Sequence, residues 1–441
     1  MKKLVLILFV LIVANYGSAQ TPIVKDILRN SKEKAHQKTQ QKIDERIDKT
    51  VDSIASKKIK GKSKKDTESD TPGVNTPQTK SENQATENTQ SDNVSFITYQ
   101  KFDFVPGEKI LAVEDFSQDA MGDFPDKWNT NSTGEIVTVA GKEGKWLMLQ
   151  KDGLFVPEFI TSLPENFTLQ FELMCNREFS FYSAPFYMDI AALKTQKNYT
   201  DWKQYITANR NGIELLFHPT NANAGAGSTE YNVYENGASV LKNQVYTKQF
   251  HALSNNYAKI SVWRQKQRIR VYINEEKVWD VPKALTPGMH YNSIIFAVGT
   301  SANATDRYYI GNIRLAVGAP DTRNKLITEG KFITRGILFA VNSDQIKPES
   351  YGVLKDIAAV LAENPGIKVK IVGHTDADGD ENSNLDLSKR RAEQVKLMLN
   401  KEFNIDLSRM QTDGKGESEP ADKNNTPEGK ANNRRVEFIK L

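Results

Sequence analysis

IVGHTDADGDENSNLDLSKRRA, running from Ile371 to Ala392, is the stretch on which the reading of this 441-residue chain turns. Its start belongs to a run, Ile367–Val372, in which apolar residues alternate with lysine, the period of a strand with one buried face. Ser388 is placed to cap a helix in which Ala392, Val395 and Leu399 share a face. This sets Asp376 on the loop after a strand and Arg391 in the first turn of a helix. DADGDENSNLDL, starting at Asp376, has the acidic residues of a calcium loop at its first, third and fifth positions. It lacks the glycine at the sixth and the glutamate at the twelfth, which is Leu387, so no EF-hand is assigned. The five histidines (His36, His218, His251, His290, His374) show no metal-ligand spacing, and His374 reads as a structural residue of the loop.

Outward from this stretch the strand and helix pattern continues. Phe332 to Phe339 reads as a strand. Pro348 opens a helix, as proline favours at a first turn, and Asn364-Pro365 stops it. Val353, Leu354, Ile357, Val360 and Leu361 fall at helical spacing between them. Val436 to Leu441 makes a last strand. Residues 325–441 thus read as an α/β domain with a β-α-β-α-β core.

The same residues resemble a known pattern, the OmpA-like peptidoglycan-binding domain family. GHTD is followed by Gly379, Asn384, then Leu387-Ser388 and Arg391-Ala392, at the family's spacing. IKPES at 346–350, DGKGES at 413–418 and NNTPEGKANNRRVEF at 424–438 agree with its flanks. The resemblance implies a site for the peptidoglycan stem peptide at its diaminopimelate residue. By that resemblance Asp376 grips the ammonium and Arg391 the carboxylate. Asn384 and Asn342 match further contact positions, whereas Val341 stands where relatives are often polar. Arg434 and Arg435 match a closing arginine pair, of which Arg435 is preferred as the one facing the ligand. The chemistry agrees: a zwitterionic end needs one fixed anion and one fixed cation. Arginine suits a carboxylate because its planar fork donates twice. A helix start at Arg391 would add favourable field.

Residues 96–320 have another character. Short apolar or alternating runs, among them Lys145–Leu149, Phe167–Met174, Gly212–Phe217, Arg268–Ile273 and Tyr308–Val317, are separated by Gly, Asn, Asp and Pro. This predicts an all-β sandwich of jelly-roll type, with tight turns at Gln265-Lys266-Gln267 and Asn274-Glu275-Glu276. ISVWRQKQRIRVYINEEKVWDV at 260–281 carries a general resemblance to concanavalin-like or laminin-G-like sandwiches. The sandwich could bind a glycan or an envelope protein. Trp128, Trp202, Trp263 and Trp279 are candidate stacking residues. Trp202 near Tyr205 is the exposed candidate, and Tyr231 and Tyr234 are placed in a polar loop. Cys175, the one cysteine, reads as a core thiol, so no disulfide staples the chain.

The N-terminal part reads as targeting and tether. Lys2 and Lys3, the apolar Leu4–Ala14 and a small-residue region ending at Ala19 form a signal peptide over residues 1–19. Residues 20–60 read as a basic, partly helical segment. Fourteen Lys/Arg stand against six Asp/Glu from Thr21 to Lys65. Residues 61–95 hold no aromatic residue and read as a disordered linker. The expected whole is a multidomain envelope protein of a Gram-negative bacterium, periplasmic or associated with the outer membrane. It binds peptidoglycan, uses no cofactor or metal, is not an enzyme and has no nucleic-acid partner. Association with a membrane stays open at this level. So do two other readings: a porin-like outer-membrane barrel with a wall-binding domain, and a glycan-acting enzyme targeted to the wall.

Overall fold

The computed structural model describes residues 102–202, 210–220, 225–300, 303–318 and 322–441. The expected signal peptide, basic segment and linker lie outside these residues.

Fifteen strands of the described residues form two antiparallel sheets. In chain order they are β1 (Lys109–Glu114), β2 (Trp128–Thr130), β3 (Gly134–Val137), β4 (Trp146–Leu149), β5 (Gly153–Pro157), β6 (Asn166–Cys175), β7 (Phe186–Ala191), β8 (Gly212–His218), β9 (Gly227–Glu235), β10 (Ala238–Thr247), β11 (Tyr257–Gln265), β12 (Arg268–Ile273), β13 (Glu276–Val281), β14 (Ser293–Val298) and β15 (Tyr308–Val317). One sheet runs β13-β12-β11-β6-β15-β4-β3, with β1 also on β15; the other runs β10-β9-β8-β7-β14-β5-β2. Each sheet is open, with its own edge strands, whereas a porin-like barrel closes on itself.

Alternation drives this arrangement. On β6, Phe167, Leu169, Phe171 and Leu173 are buried while Gln170 and Glu172 stay partly exposed. From the facing sheet Phe186, Met188, Ile190, Leu215 and Phe217 join them in one apolar core. Phe171 meets Phe296 edge-on at 5.2 Å between ring centroids, a favoured aromatic geometry. The turns use left-handed residues as hairpins require: Lys266 at φ 55° and Asn274 at φ 53°. Cys175 is buried in this core, and burial pushes its thiol pKa up.

Four further strands make a third sheet: β16 (Lys331–Thr334), β17 (Val369–His374), β18 (Met410–Gly416) and β19 (Val436–Lys440), in the order β16-β19-β17-β18. Helices α1 (Tyr351–Glu363), α2 (Glu381–Phe403) and α3 (Pro427–Asn433) accompany it. The β-α-β-α-β expectation therefore gains a strand and a short helix. β18 reads MQTDGKG, whose glycines and polar residues hide it from an apolar pattern. The first strand ends at Thr334 rather than Phe339.

α2 starts seven residues earlier than Ser388. Asp380 is its N-cap, accepting from the Ser383 backbone N–H at 2.9 Å, and no proline or glycine interrupts the segment from there. Arg391 consequently sits in mid-helix, not in a first turn, and the helix-start field does not act at it. Ser388 is buried inside the helix, where its Oγ accepts from the Gly416 N–H at 2.9 Å.

The segment before β1 belongs to the third sheet's core. Phe102, Phe104 and Val105 cluster with Val353, Leu354 and Leu361 of the α/β domain and with Trp263 and Tyr272 of the sandwich. Phe104 lies 5.4 Å from the Tyr272 ring and 6.1 Å from that of Trp263. Gly352 of α1 lets the backbones meet, since a Cβ there would stand 2.4 Å from the Phe104 carbonyl oxygen. Asn432 of α3 pairs with β1 on both sides, accepting from the Ile110 N–H at 3.0 Å and donating to its carbonyl at 3.2 Å.

Candidate functional site

β17 delivers the chain to the GHTD loop at the edge of the third sheet. Gly373 is needed there, because a Cβ would stand 2.3 Å from the Ser388 carbonyl oxygen of α2. His374 and Thr375 are tied by their backbones to Arg435 and Gly416 at 3.0 and 2.9 Å. Asp376 is buried, and its Oδ2 accepts from Arg434 Nη1. Its Oδ1 accepts from the Asp378 N–H at 3.3 Å. Asn384 is buried beneath the loop and braces it, with Nδ2 donating to Glu417 Oε2 at 2.6 Å and to the Asp378 carbonyl at 3.1 Å.

Arg391 reaches the same place from the middle of α2. Its Nε donates to the Ser343 carbonyl at 2.9 Å, and its guanidinium lies 4.8 Å from the Phe339 ring centroid. Burial, with Arg434 adding to it, pulls its pKa down against the pull of Asp376. Asn342 is exposed at φ 52° in the loop next to Ser343, beside the exposed Val341. The structure gives it no ligand-like environment beyond that position.

The two arginines of the closing pair differ in their surroundings. Arg435 is buried and tied into the fold: Nε donates to Glu437 Oε1 at 2.8 Å and Nη2 to the Glu419 carbonyl at 3.0 Å. Arg434, with a half-exposed side chain, is the one on Asp376. Arg435 leads into β19 and shares a face with Glu437, whereas Arg434 is the C-cap of α3 and lies outside the strand. Glu437 also meets Lys331 Nζ at 2.7 Å, and His374 Nε2 stands 3.6 Å away. Burial alone would raise the Glu437 pKa, but His374, Lys331 and Arg435 hold it below the usual carboxylate range.

The tryptophans and tyrosines singled out in the sequence as stacking candidates are buried where the structure describes them; Tyr205 lies outside the described residues. Trp202 is buried, under the guanidinium of Arg210 at 4.5 Å. Tyr231 and Tyr234 are buried on β9, not in a loop. Trp279 packs on Tyr231 at 4.8 Å and donates to Thr229 Oγ1 at 3.1 Å. Trp128 and Trp263 are likewise buried. The residues 227–235 alternate too weakly for a sequence pattern to show a strand.

Asp376, Arg391, Arg434 and Asn384 thus converge on one half-enclosed charged site at a strand–loop–helix junction. Among the described residues no group of His, Cys, Asp and Glu could hold a metal ion. A small α/β module with such a site matches the model of the OmpA family over residues 338–434, and the chain belongs to that family. Outer membrane porin F of Pseudomonas fluorescens is 42% identical over 101 residues, 23% of this chain and 31% of that protein. The lipoprotein YfiB of Escherichia coli is 35% identical over 107 residues, 24% of this chain and 67% of that protein. The chain spans only about a third of the first of these relatives. Over the sandwich, the carbohydrate recognition domain of Emp47p has a TM-score of 0.34 and 14% identity, covering 48% of this chain and 98% of that one. That likeness is too slight to speak to a ligand.

Proposed function

We propose that the C-terminal domain holds peptidoglycan in the cell envelope without covalent attachment, by the zwitterionic end of diaminopimelate in the stem peptide. The observation that carries the reading is the salt bridge of Asp376 with Arg434 beside Arg391. Arg434 occupies the place of a ligand cation on Asp376, and its side chain is half-exposed and free to give way. The ligand ammonium then takes Asp376, while Arg391 and the released Arg434 hold the carboxylate with charge-assisted bonds. Asn384 acts by bracing the loop, and Arg435 by bracing β19. Asn342 lines the rim.

The protein works by binding and coupling, not by catalysis, and resides in the periplasm or at the outer membrane, reached through the N-terminal signal of residues 1–19. In the sandwich Asp189 and Glu214 face each other across β7 and β8, but Arg210 engages both, which supports a structural role for the pair. The sandwich presents its surface to a glycan or an envelope protein.

The test is co-sedimentation of the whole protein with purified sacculi. Wild type pellets; Asp376→Ala and Arg391→Ala each stay largely in solution, a loss of tenfold or more, because each leaves one ligand charge unpaired. Variants that pellet as wild type does would sink the site assignment.

A further inference from the structure

Between β15 and the α/β domain lies a cavity of about 120 Å³ whose lining includes Arg314, Arg335, Arg391, Arg434 and Arg435 and no aspartate or glutamate. Two of these cations have carboxylate partners, Arg434 on Asp376 and Arg435 on Glu437. Arg335 gives Nε and Nη1 to the carbonyls of Asn432 and Glu108, and its Nη2 makes neither bond. Arg314 belongs to the sandwich. Its Nη2 donates to the Arg335 carbonyl at 3.3 Å, and its buried Nε has no hydrogen-bond partner. Burial, with Arg434 and Arg335 nearby, pulls its pKa down to about 10. Five cations share this lining and only two hold a carboxylate directly; a further anion among them relieves the cost of crowding like charges out of water.

The cavity does not end there. Arg314, Leu338, Ala431 and Arg434 also line a cleft of about 620 Å³ between the two domains, with Trp146, Tyr257 and Lys259 on its sandwich wall. Arg391 and Arg314 line the same small cavity, while the acids of the wider cleft, Asp115, Glu143, Glu172 and Glu349, lie outside it.

We propose that Arg314 forms, with Arg335, a second carboxylate subsite for the same wall peptide, so that the sandwich completes the binding site of the α/β domain. This rests on the stem-peptide reading above. The ligand it takes is a peptide with a zwitterionic end and a further free carboxylate along its chain. Arg314 reads that second carboxylate with its unpartnered Nε and its Nη groups.

The experiment is a calorimetric titration of the whole protein with two synthetic peptides. Both carry diaminopimelate, one with its additional carboxylate free and one with it amidated. Wild type prefers the free carboxylate by about tenfold, the worth of one charge-assisted hydrogen bond. Arg314→Gln loses that preference and binds the amidated peptide as wild type does, which also shows that the variant is folded. Asp376→Ala loses both peptides. If Arg314→Gln keeps the preference, or weakens both peptides equally, Arg314 is only a contact between domains and the second subsite is wrong. If Asp376→Ala binds both peptides unimpaired, the stem-peptide reading itself fails.

Discussion

The two halves of the described structure bury arginine in opposite ways. In the sandwich Arg210 is sunk among Glu214, Asp189 and the rings of Trp202 and Tyr234, at 4.5 and 4.1 Å. Arg264 donates to the carbonyls of Lys266, Leu163 and Pro164 at 3.0–3.3 Å. These cations are surrounded by their own counter-charges, carbonyls and π-faces. At the junction with the α/β domain, five arginines share a cavity with no acid in its lining. Arg210 keeps Nε and Nη1 buried without hydrogen-bond partners, so what separates the two places is direct contact with acid: Glu214 on Arg210, against backbone carbonyls on Arg314 and Arg335.

Three variants test that contrast, the largest effect first. Arg210→Met removes the cation between two carboxylates of β7 and β8 and should cost roughly 3–5 kcal/mol in urea unfolding at neutral pH. A cost below about 1 kcal/mol would show that the sandwich charges are no closed set. Glu437→Gln strips Arg435 and Lys331 of their shared anion and should cost roughly 1–3 kcal/mol at pH 7. The folded pKa of Glu437 lies below its ordinary 4.5. Its contribution is therefore present above pH 4.5 and is lost as pH falls toward the folded value. Thermal melts of wild type and variant should converge as the pH drops through that window; a constant gap would refute the ion network. Asp189→Asn should change stability by less than about 1 kcal/mol. Burial first, and Glu214 second, raise the Asp189 pKa against the pull of Arg210, so the fold gains less from this charge than from an unperturbed carboxylate. A large loss would mean that the carboxylate is needed charged.

Much of this was legible in the residues. The runs Arg268–Ile273, Ser293–Val298 and Tyr308–Val317 appear in the structure as strands with those bounds, because alternation and bounding turn residues are local signals. The GHTD loop was legible through the family resemblance, which also implied Asp376 and Arg391 as partners on one ligand. What failed were statements about surroundings. Trp202, Tyr231 and Tyr234 sit in polar sequence yet are covered by neighbours distant in the chain. Arg391 was read near a helix start because serine is a favoured cap, but Asp380 competes for that role and lies further upstream. Arg434 and Arg435 are adjacent and identical in chemistry; one caps the end of α3 and the other leads into β19, a boundary the sequence pattern does not fix. Arg314 is the one charged residue of its strand, and nothing local shows that four other arginines come to meet it.

The short segment Phe102–Val105 has a mechanical consequence. It plugs one apolar cluster that takes residues from both domains, with Phe104 almost wholly buried between Tyr272 and α1. Bending at the junction would pull aromatic rings into water at about 1.5–3 kcal/mol each, and the cluster opposes it. The pair therefore turns as one stiff bracket: a tug at the GHTD loop reaches the far sheet of the sandwich as torque rather than as slack.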